Sequence, residues 1–402
     1  MSNASTESRH STRISALLAD TAIDFGVSRE VFRARYFEKN YLLIRGALQS
    51  APFEWSDIDE LLYRVDPLPP YFKLFKDGEI AAAEFVDEAL EFGAPRRRIN
   101  KAKFYDYLRG GATVVMNRIE SSSRAARGLC RVVSRFAGHP AIGNAYLSFG
   151  GNGTFGEHWD THDVFVIQLL GRKRWQVFAP TWPLPLSHQS SVGQLQRSPS
   201  APVLECELAP GDVLYLPRGW WHRATPCNGG SFHLSVGTYA PTALEFVQWV
   251  CQRRLSLLES ARIGLCGDSQ QALDVDAIVS QLGQALRDPR ELTAFHRSLA
   301  ERETVCAEFD LQSQVDSTAE LHDDACVHLN SCYPLTFNGA HLTVNGMELR
   351  LESLRRALVL QLDKVTAMTV RSLYACAPSV PPAAVRAAIV DLAQHDVVTI
   401  RR

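Results

Sequence analysis

The sequence lacks the features of membrane-bound and secreted proteins. It contains no apolar run of about 18 residues or more, the length that a membrane-spanning helix requires. Its first twenty residues are mainly polar and hold no uninterrupted apolar core, so they do not predict a secretory signal peptide. The nine cysteines are scattered and form no C-x-x-C pair, which favours reduced thiols over disulfides or a zinc knuckle. We therefore expect a cytoplasmic protein that does not span a membrane.

The chain also lacks an excess of charge of either sign. Its 42 lysine and arginine residues face 44 aspartate and glutamate residues, for a formal net charge of −2. This balance gives no general electrostatic attraction to nucleic acid or to an anionic membrane, so neither is expected as a partner. Apolar residues make up 46% and charged residues 21% of the chain, as in ordinary globular proteins. A length of 402 residues predicts two or three domains.

The first half of the chain predicts a flexible lead-in followed by a large domain. Residues 1–30 are expected to be flexible, and residues 31–240 to form the large domain. Its pattern is mostly helical between about 50 and 135 and then changes to short apolar strands, which include AYLSF, VFVIQLL, DVLYLPR and SFHLSVGTYA. Short strands separated by glycine and proline are typical of a sandwich or barrel.

The second half of the chain predicts helices and then a small mixed unit. Residues 241–315 are mainly helical, and Thr242 with Glu245 forms a capping-box pattern at their start. Residues 320–402 contain two Asn-Gly pairs between alternating residues, which is a strong hairpin signal, followed by helices and a last strand. This order indicates a winged-helix-like unit.

A polar cluster stands directly before one of the apolar strands, in the stretch GEHWDTHDVFVIQLL. His158 and Asp160 lie two positions apart, so an extended backbone directs both side chains to the same face. An imidazole and a carboxylate on one face can bind one ion, although a lone H-x-D pair usually lies on a solvated surface. Burying this polarity would be costly unless something binds it.

A second signal lies in GDVLYLPRGWWHRATP, where His222 follows the end of a buried strand. In an antiparallel barrel this strand can return beside the earlier one and bring His222 to the same mouth. Two imidazoles and one carboxylate form the facial triad of non-haem Fe(II) oxygenases. Taken alone, His222 is better explained as a turn residue beside Trp220 and Trp221.

A third signal is Lys173, fifteen positions after His158 and next to a strand. A lysine offers a compact positive charge on a long stem, which suits a carboxylate bound inside a barrel. The alternative is a solvated hairpin lysine. Strand alternation places Lys173 on the face opposite Arg172 and Arg174, which suit that solvated role better.

Together, NAYLSFGGNGTFGEHWDTHDVFVIQLLGRKRW, GDVLYLPRGWWHRATP and SFHLSVGTY resemble the JmjC-type 2-oxoglutarate oxygenases. The most similar branch is the cupin-like ribosomal oxygenases of the bacterial arginine-hydroxylase type. The resemblance implies a mainly β core with helices, in the form of a double-stranded β-helix or jelly roll. It further implies a helical dimerisation region, a C-terminal winged helix, and therefore a homodimer.

The resemblance also implies a reaction, namely Fe(II)-dependent hydroxylation with 2-oxoglutarate and O₂ as cosubstrates. The expected substrate is a side chain in a protein or peptide, with a ribosomal-protein-like substrate favoured. The residues that match the family's iron ligands are His158, Asp160 and His222. Lys173 matches the residue that pairs with the distal carboxylate of 2-oxoglutarate.

Two further positions come from the resemblance. Asn144 falls where the family often has an asparagine near the cosubstrate. Gly237 falls where some relatives carry a serine that assists the lysine, so this sequence departs from that pattern, and Ser235 is the candidate substitute.

Neighbouring polar residues have plainer interpretations. His162 and Asp163 are expected to support the start of the strand through hydrogen bonds, and His233 is expected to be a hydrogen-bonded core histidine. Trp220 and Trp221 either wall the mouth of the cavity or pack beneath it.

Two other functions stay open at this stage. One is hydroxylation of a small molecule or a short biosynthetic peptide. The other is a non-catalytic, metal-binding cupin that acts on a partner through its winged helix. The final helices carry no basic stripe, so a structural or protein-binding role is favoured over DNA binding. The first helix after residue 241 has an apolar stripe that fits a domain core or a dimer interface equally well; its members are Leu244, Val247, Val250, Cys251, Leu255 and Leu258.

Overall fold

The structure is a computed structural model. It describes residues 23–48, 52–151, 153, 155–194, 197–264, 273–302, 309–315, 320–333, 335–365 and 367–401. The chain divides into two compact units, one ending at Tyr239 and the other starting at Ala240. Of the predicted flexible segment, residues 1–22 lie outside the described residues. Ile23 and Phe25 are buried in the core of the first unit, so the ordered fold begins before residue 30.

The described helices of the first unit are α1 (Arg29–Arg35), α2 (Trp55–Arg64), α3 (Lys101–Arg109) and α4 (Arg124–Ala137). Side chains cap their first turns. The Ser28, Asn100 and Ser123 side chains accept hydrogen bonds from the amides of Val31, Lys103 and Ala126, which satisfies donors that the helix itself leaves free.

The described strands of the first unit form two main sheets. They are β1 (Leu42–Ile44), β2 (Phe72–Phe75), β3 (Glu79–Ile80), β4 (Val86–Glu91), β5 (Ala94–Ile99), β6 (Thr113–Asn117), β7 (Ala141–Ser148), β8 (Asp163–Leu170), β9 (Lys173–Phe178), β10 (Leu204–Leu208), β11 (Val213–Leu216), β12 (Trp221–Pro226) and β13 (Ser231–Thr238). The larger sheet has eight strands in the order β1-β11-β8-β13-β7-β6-β2-β3, and the smaller has the order β10-β9-β12.

Strand alternation explains how the two sheets pack. On β8, Val164 and Val166 join an apolar cluster with Trp175 and Val177 of the smaller sheet. The residues between them, such as Phe165, point the other way into a core with the helices. The two sheets therefore face each other, and one face of the larger sheet is covered by helices.

The region between 50 and 135 is less helical than the sequence predicts. It holds strands β2 to β6 as well as α2 to α4, and β4 and β5 form a separate hairpin. Phe92 and Gly93 at its turn both have positive φ, 51° and 80°, as a two-residue type I′ turn requires. The prediction is wrong here because charged residues are exposed on both strands of this hairpin, so no alternation of apolar residues marks them.

The described helices of the second unit are α5 (Ala243–Arg254), α6 (Val275–Arg287), α7 (Pro289–Arg302), α8 (Leu311–Val315), α9 (Ser353–Leu362), α10 (Val370–Leu373) and α11 (Pro382–Gln394). The predicted capping box of α5 is confirmed. The Glu245 amide donates to the Thr242 hydroxyl at 3.2 Å, and the Thr242 amide donates to the Glu245 carboxylate at 2.6 Å. Within the described ranges, no helix combines the length and the apolar character needed to cross a membrane.

The second unit also contains two small sheets. Their strands are β14 (Cys326–Leu329), β15 (Thr336–Asn338), β16 (His341–Val344), β17 (Met347–Arg350), β18 (Met368–Thr369) and β19 (Val398–Arg401). The sheet orders are β18-β14-β19 and β15-β16-β17. The two hairpins predicted from the Asn-Gly pairs are confirmed by the antiparallel pairing of β15 with β16 and of β16 with β17.

Candidate active site

The backbone holds His158 and His222 side by side. The His222 amide donates to the His158 carbonyl at 2.8 Å, and the His158 amide donates to the His222 carbonyl at 3.1 Å. Each residue thus fixes the other through two hydrogen bonds, in the manner of an antiparallel ladder. The Gly219 amide donates to the carbonyl of Asp160 at 2.9 Å, so the turn before His222 also holds the carboxylate-bearing residue.

The three side chains meet at one point. A ligand atom from each of His158, Asp160 and His222 lies within 4.8 Å of the others. The two imidazole rings have centroids 4.3 Å apart, and His222 Nε2 lies 3.6 Å from Asp160 Oδ2. The alternation that the sequence predicts for His158 and Asp160 is therefore present, and His222 joins them.

Backbone carbonyls orient both imidazoles. His158 Nδ1 lies 3.3 Å from the Gly156 oxygen, and His222 Nδ1 lies 3.1 Å from the Trp220 oxygen. When Nδ1 carries the hydrogen and donates to these carbonyls, the lone pair is on Nε2. A hydrogen bond of this kind fixes the tautomer and ring orientation that a metal-binding histidine needs.

The electrostatics favour a negatively charged donor set. Burial and the neighbouring His158 together lower the pKa of His222 to about 4, although Asp160 acts in the opposite direction. Burial would raise the pKa of Asp160, but the imidazoles of His222, His158 and His162 together bring it below its usual value. At neutral pH the site then offers a neutral imidazole from His222 and the carboxylate of Asp160, donors that suit a divalent cation.

These three groups open into a cavity of about 300 Å³ between the two sheets. Its apolar walls include Val164, Val166, Trp175 and Leu216. Its polar lining residues are Thr113, Asn144, Tyr146, His158, Asp160, His162, Lys173, His222, His233 and Ser235. A cavity with apolar walls and a few converging polar groups is typical of a small-molecule site.

Lys173 supplies a positive charge to this cavity. It is only 5% exposed, and burial lowers its pKa to about 8. It makes no ion pair with any described residue. Arg172 lies outside and pairs with Glu207 at 2.9 Å, and Arg174 is exposed. The predicted alternation therefore places only the lysine inside.

Two more polar atoms beside the cavity have no hydrogen-bond partner among the described residues. They are Trp175 Nε1 and His233 Nδ1, both buried. The His233 ring stacks on Tyr146 at 4.9 Å and meets the Trp175 ring edge-on at 5.7 Å. The prediction of a hydrogen-bonded core histidine is therefore wrong for Nδ1. Unpaired buried polar atoms beside a lysine fit a polar, anionic molecule bound in the cavity.

Asn144 and Ser235 are neighbours across strands β7 and β13, and both line the cavity. The Asn144 side-chain oxygen accepts a hydrogen bond from the Arg118 amide at 3.2 Å.

Two residues of the cavity lining, Tyr146 and Thr113, are not predicted from the sequence. Tyr146 lies two positions after Asn144 on the same strand face, which is a signal that could have found it. Thr113 lies on a different strand, and nothing in its local sequence points to the site.

His162 and Asp163 lie on opposite faces of the same strand start. Asp163 points away from the cavity and accepts hydrogen bonds from the Arg218 amide at 2.9 Å and the Tyr215 hydroxyl at 3.1 Å. Burial raises its pKa to about 6. His162 lines the cavity, where its ring stacks on Tyr239 at 4.9 Å. The predicted support through hydrogen bonds thus holds for Asp163, whereas His162 is part of the cavity wall.

The two tryptophans before His222 pack beneath the site rather than line the cavity. Trp220 lies in the apolar cluster between the sheets and meets Tyr41 edge-on at 5.8 Å. Trp221 forms a small buried cluster with Trp159 and Phe178.

The ring of His162 fills the space that a side chain at position 237 would need. A Cβ added to Gly237 would lie 2.5 Å from His162 Cδ2 and 2.7 Å from His162 Nε2. The glycine at this position, where a serine was considered from sequence, therefore has a steric cause. A residue larger than glycine therefore requires the His162 ring to move.

We expect Gly237→Ser to destabilise the fold by about 1–3 kcal/mol, the usual cost of overpacking. Adding His162→Ala should restore most of the loss, because the clash is with that ring. The free energy of unfolding of the two single variants and the double variant tests this as a double-mutant cycle. Additive effects would show that the two positions do not share this space.

Comparison with known proteins finds that residues 115–246 match the family described as JmjC domain. Ribosomal oxygenase 1 of Rattus norvegicus is 28% identical over 332 residues, which cover 80% of this chain and 53% of the rat protein. The bifunctional lysine-specific demethylase and histidyl-hydroxylase NO66 of Drosophila persimilis is 35% identical over 135 residues, or 33% of this chain and 19% of that protein. The chain thus spans about half the length of the first relative and less of the second.

Solved structures show the same architecture. The crystal structure of Escherichia coli ribosomal oxygenase YcfD matches with a TM-score of 0.56 at 17% identity, over 94% of this chain and 99% of that chain. A structure of YcfD in complex with cobalt and 2-oxoglutarate matches with a TM-score of 0.55 at 17% identity, over the same shares. This likeness confirms the predicted fold, a mainly β jelly-roll core of the cupin type with helices.

Proposed function

We propose, from the JmjC domain that residues 115–246 form, that this protein is an Fe(II)- and 2-oxoglutarate-dependent oxygenase. It hydroxylates an amino-acid side chain in a protein or peptide, and a ribosomal-protein-like substrate is favoured. The observation that carries this proposal is the convergence of His158, Asp160 and His222 on one cavity that also holds the buried charge of Lys173.

In this proposal, His158, Asp160 and His222 hold the iron. When bound, Fe(II) with 2-oxoglutarate and O₂ supplies the oxidising chemistry that no protein side chain provides. The contribution of the chain is to keep two imidazoles and one carboxylate at their spacing before the metal arrives. The hydrogen bonds of the two Nδ1 atoms and the backbone bridge between the histidines support that role.

The cosubstrate is assigned to the inner part of the cavity. Lys173 carries the charge that pairs with its distal carboxylate, and the unpaired Trp175 Nε1 and His233 Nδ1 lie on the same walls. Asn144 and Ser235 are assigned to the polar wall near it. The apolar walls exclude water, which strengthens each charge interaction inside.

The substrate class rests on the relatives, whose names are ribosomal oxygenase and histidyl-hydroxylase. The test is mass spectrometry of proteins from cells with and without the gene. We expect one or more proteins to gain the mass of one oxygen atom only when the gene is present. A gain confined to a small molecule would contradict a protein substrate.

The affinity for 2-oxoglutarate should fall as the pH rises above about 8. The pKa of Lys173, about 8 after burial, means that its charge is mostly present at about pH 7 and mostly lost at about pH 9. The Kd measured by calorimetry on the Mn(II)-loaded protein should therefore rise roughly tenfold across this range. Lys173→Arg is the control, because a guanidinium stays charged. If the Kd for 2-oxoglutarate depends on pH equally in the wild type and in this variant, the titrating group is not Lys173.

We also propose that the protein is a homodimer formed through residues 241–315. Exposed apolar side chains on this segment include Leu244, Leu257 and Val279, and burying them in a symmetric interface would be favourable. Light scattering at micromolar concentration should give about twice the chain mass of 44.7 kDa. A monomer under these conditions would contradict the proposal.

The remaining assignments follow the same scheme. Residues 31–240 are the catalytic domain, and residues 320–402 are a winged-helix-like domain with a structural or protein-binding role. We place the protein in the cytoplasm. The described cysteines are all free thiols, which suits a reducing compartment.

A further inference from the structure

We infer that the segment between β9 and β10 is a brace that holds the three proposed metal ligands at their spacing from outside the cavity. Its described residues are 179–194 and 197–203, and this segment is called the brace below. The inference rests on the proposed metal centre. It adds a set of positioning residues that neither line the cavity nor touch the ligands' side chains.

Two tryptophans separate the brace from the cavity. Trp159 lies between the first two ligands, and Trp221 directly precedes the third. Alternation turns both indoles away from the cavity, where they are buried with ring centroids 6.4 Å apart at an interplanar angle of 78°. They form their own apolar cluster with Phe178, the last residue of β9. This cluster therefore backs the ligand-bearing segments, and the brace continues directly from it.

The brace forms hydrogen bonds with the residues that flank the ligands. The Thr181 hydroxyl accepts from Trp221 Nε1 at 2.9 Å. The Ser191 hydroxyl donates to the Trp159 carbonyl at 3.2 Å, and the Ser198 hydroxyl donates to the Glu157 carboxylate at 2.6 Å. These bonds reach the residues on either side of His158, the residue before Asp160 and the residue before His222.

The brace also packs against the turn that carries the third ligand. Gly219 has φ 85°, and a Cβ there would lie 2.5 Å from the Trp182 carbonyl oxygen. The amide of the same glycine donates to the Asp160 carbonyl. Pro185 contributes its carbonyl oxygen, which accepts from the Arg218 guanidinium at 3.2 Å. One turn therefore contacts the brace on one side and the carboxylate-bearing residue on the other.

These contacts have a consequence for metal binding. A metal site is tight only when its ligands are already held close to the bound geometry. The two histidines are fixed to each other by the backbone bridge, but the bridge alone does not fix their distance from Asp160. The brace bonds to Trp159 and Trp221 fix the peptide segments on which all three ligands lie. Loss of these bonds should weaken metal affinity while leaving the cavity lining unchanged.

The test compares two double variants of the full-length protein, one that removes the bonds from Thr181 and Ser191 to the tryptophans and one that keeps them. Thr181→Val with Ser191→Ala changes the side-chain shapes little. It removes the bond to Trp221 Nε1 and the bond to the Trp159 carbonyl. Thr181→Ser with Ser190→Ala keeps both bonds, because the described hydrogen bond of the Ser190 hydroxyl stays within the brace, where it accepts from the Val192 amide at 3.1 Å. The probe is Co(II) alone, with its Kd taken from quenching of tryptophan fluorescence, and the Tm of the metal-free protein is measured alongside.

We expect the first double variant to bind Co(II) roughly tenfold more weakly than the wild type, as loss of outer partners usually does. The second should stay within about twofold. A lower Tm with an unchanged Kd would show a merely structural segment and overturn the inference. If the first variant does not fold, Thr181→Val and Ser191→Ala are measured singly, and unchanged Kd values in both overturn it. A wild type that does not bind Co(II) overturns the metal centre itself, and the brace with it.

Discussion

Lys173→Met is expected to raise the apparent KM for 2-oxoglutarate by roughly a hundredfold or more while the fold survives. The variant keeps the length and apolar packing of the stem but leaves the distal carboxylate buried without a partner. Breaking one side of such a buried pair costs on the order of 3–5 kcal/mol, and about 1.4 kcal/mol corresponds to a factor of ten. Steady-state rates of succinate formation at varied 2-oxoglutarate measure the effect.

Neighbouring variants provide the controls for this result. Lys173→Arg keeps the charge with altered geometry and should do less harm. Arg172→Met and Arg174→Met change side chains on the outer face and should leave the KM nearly unchanged. A large KM effect in an arginine variant, without one in Lys173→Met, would show that the cosubstrate anchor is not Lys173.

The buried charge of Lys173 should also destabilise the protein when no cosubstrate is bound. A pKa lowered by burial to about 8 means that the charged form is disfavoured in the fold by on the order of 3 kcal/mol. The folded pKa lies below the unfolded one, so the cost is full below about pH 8 and disappears as the pH rises towards the unfolded value. Near neutral pH, Lys173→Met should therefore raise the Tm of the cosubstrate-free protein. A lower Tm would indicate a stabilising, structural lysine.

His158→Ala and Asp160→Ala are each expected to abolish succinate formation with little loss of stability. Each variant removes a ligand and leaves the apolar walls of the cavity in place, so the fold does not lose core volume. The control is His341→Ala, which removes an exposed imidazole of the second unit, outside the cavity lining and outside the brace, and should retain full turnover. Turnover in both ligand variants at the wild-type rate would remove these residues from the site.

Local alternation makes much of this site predictable from sequence. The spacing of His158 and Asp160 places them on one face, and the position of Lys173 between two arginines places it inside. The position of His222 is less predictable, because its proximity to His158 and Asp160 depends on the pairing of distant strands. The resemblance to a family was needed to assign it to the site. The contribution of Thr113 depends on β6 lying beside β7, which no local pattern specifies.

Other features escape prediction because they depend on steric fit between distant residues. The fit of the His162 ring over Gly237 joins positions on different strands, and the sequence suggests instead a missing serine. The contacts of the brace with Trp159 and Trp221 likewise join segments far apart in sequence. The β4–β5 hairpin is not predicted for a local reason, because its exposed, charged strands carry no apolar periodicity.

The most direct test of the central claim is the conversion of 2-oxoglutarate to succinate by the purified full-length protein. The reaction needs only Fe(II), ascorbate, O₂ and 2-oxoglutarate, and the protein substrate can be left out because slow uncoupled turnover is sufficient. The account predicts succinate that depends on Fe(II) and disappears in His158→Ala. A metal-loaded, folded protein that binds 2-oxoglutarate but forms no succinate, with or without candidate substrates, would contradict it and favour a non-catalytic metal-binding cupin.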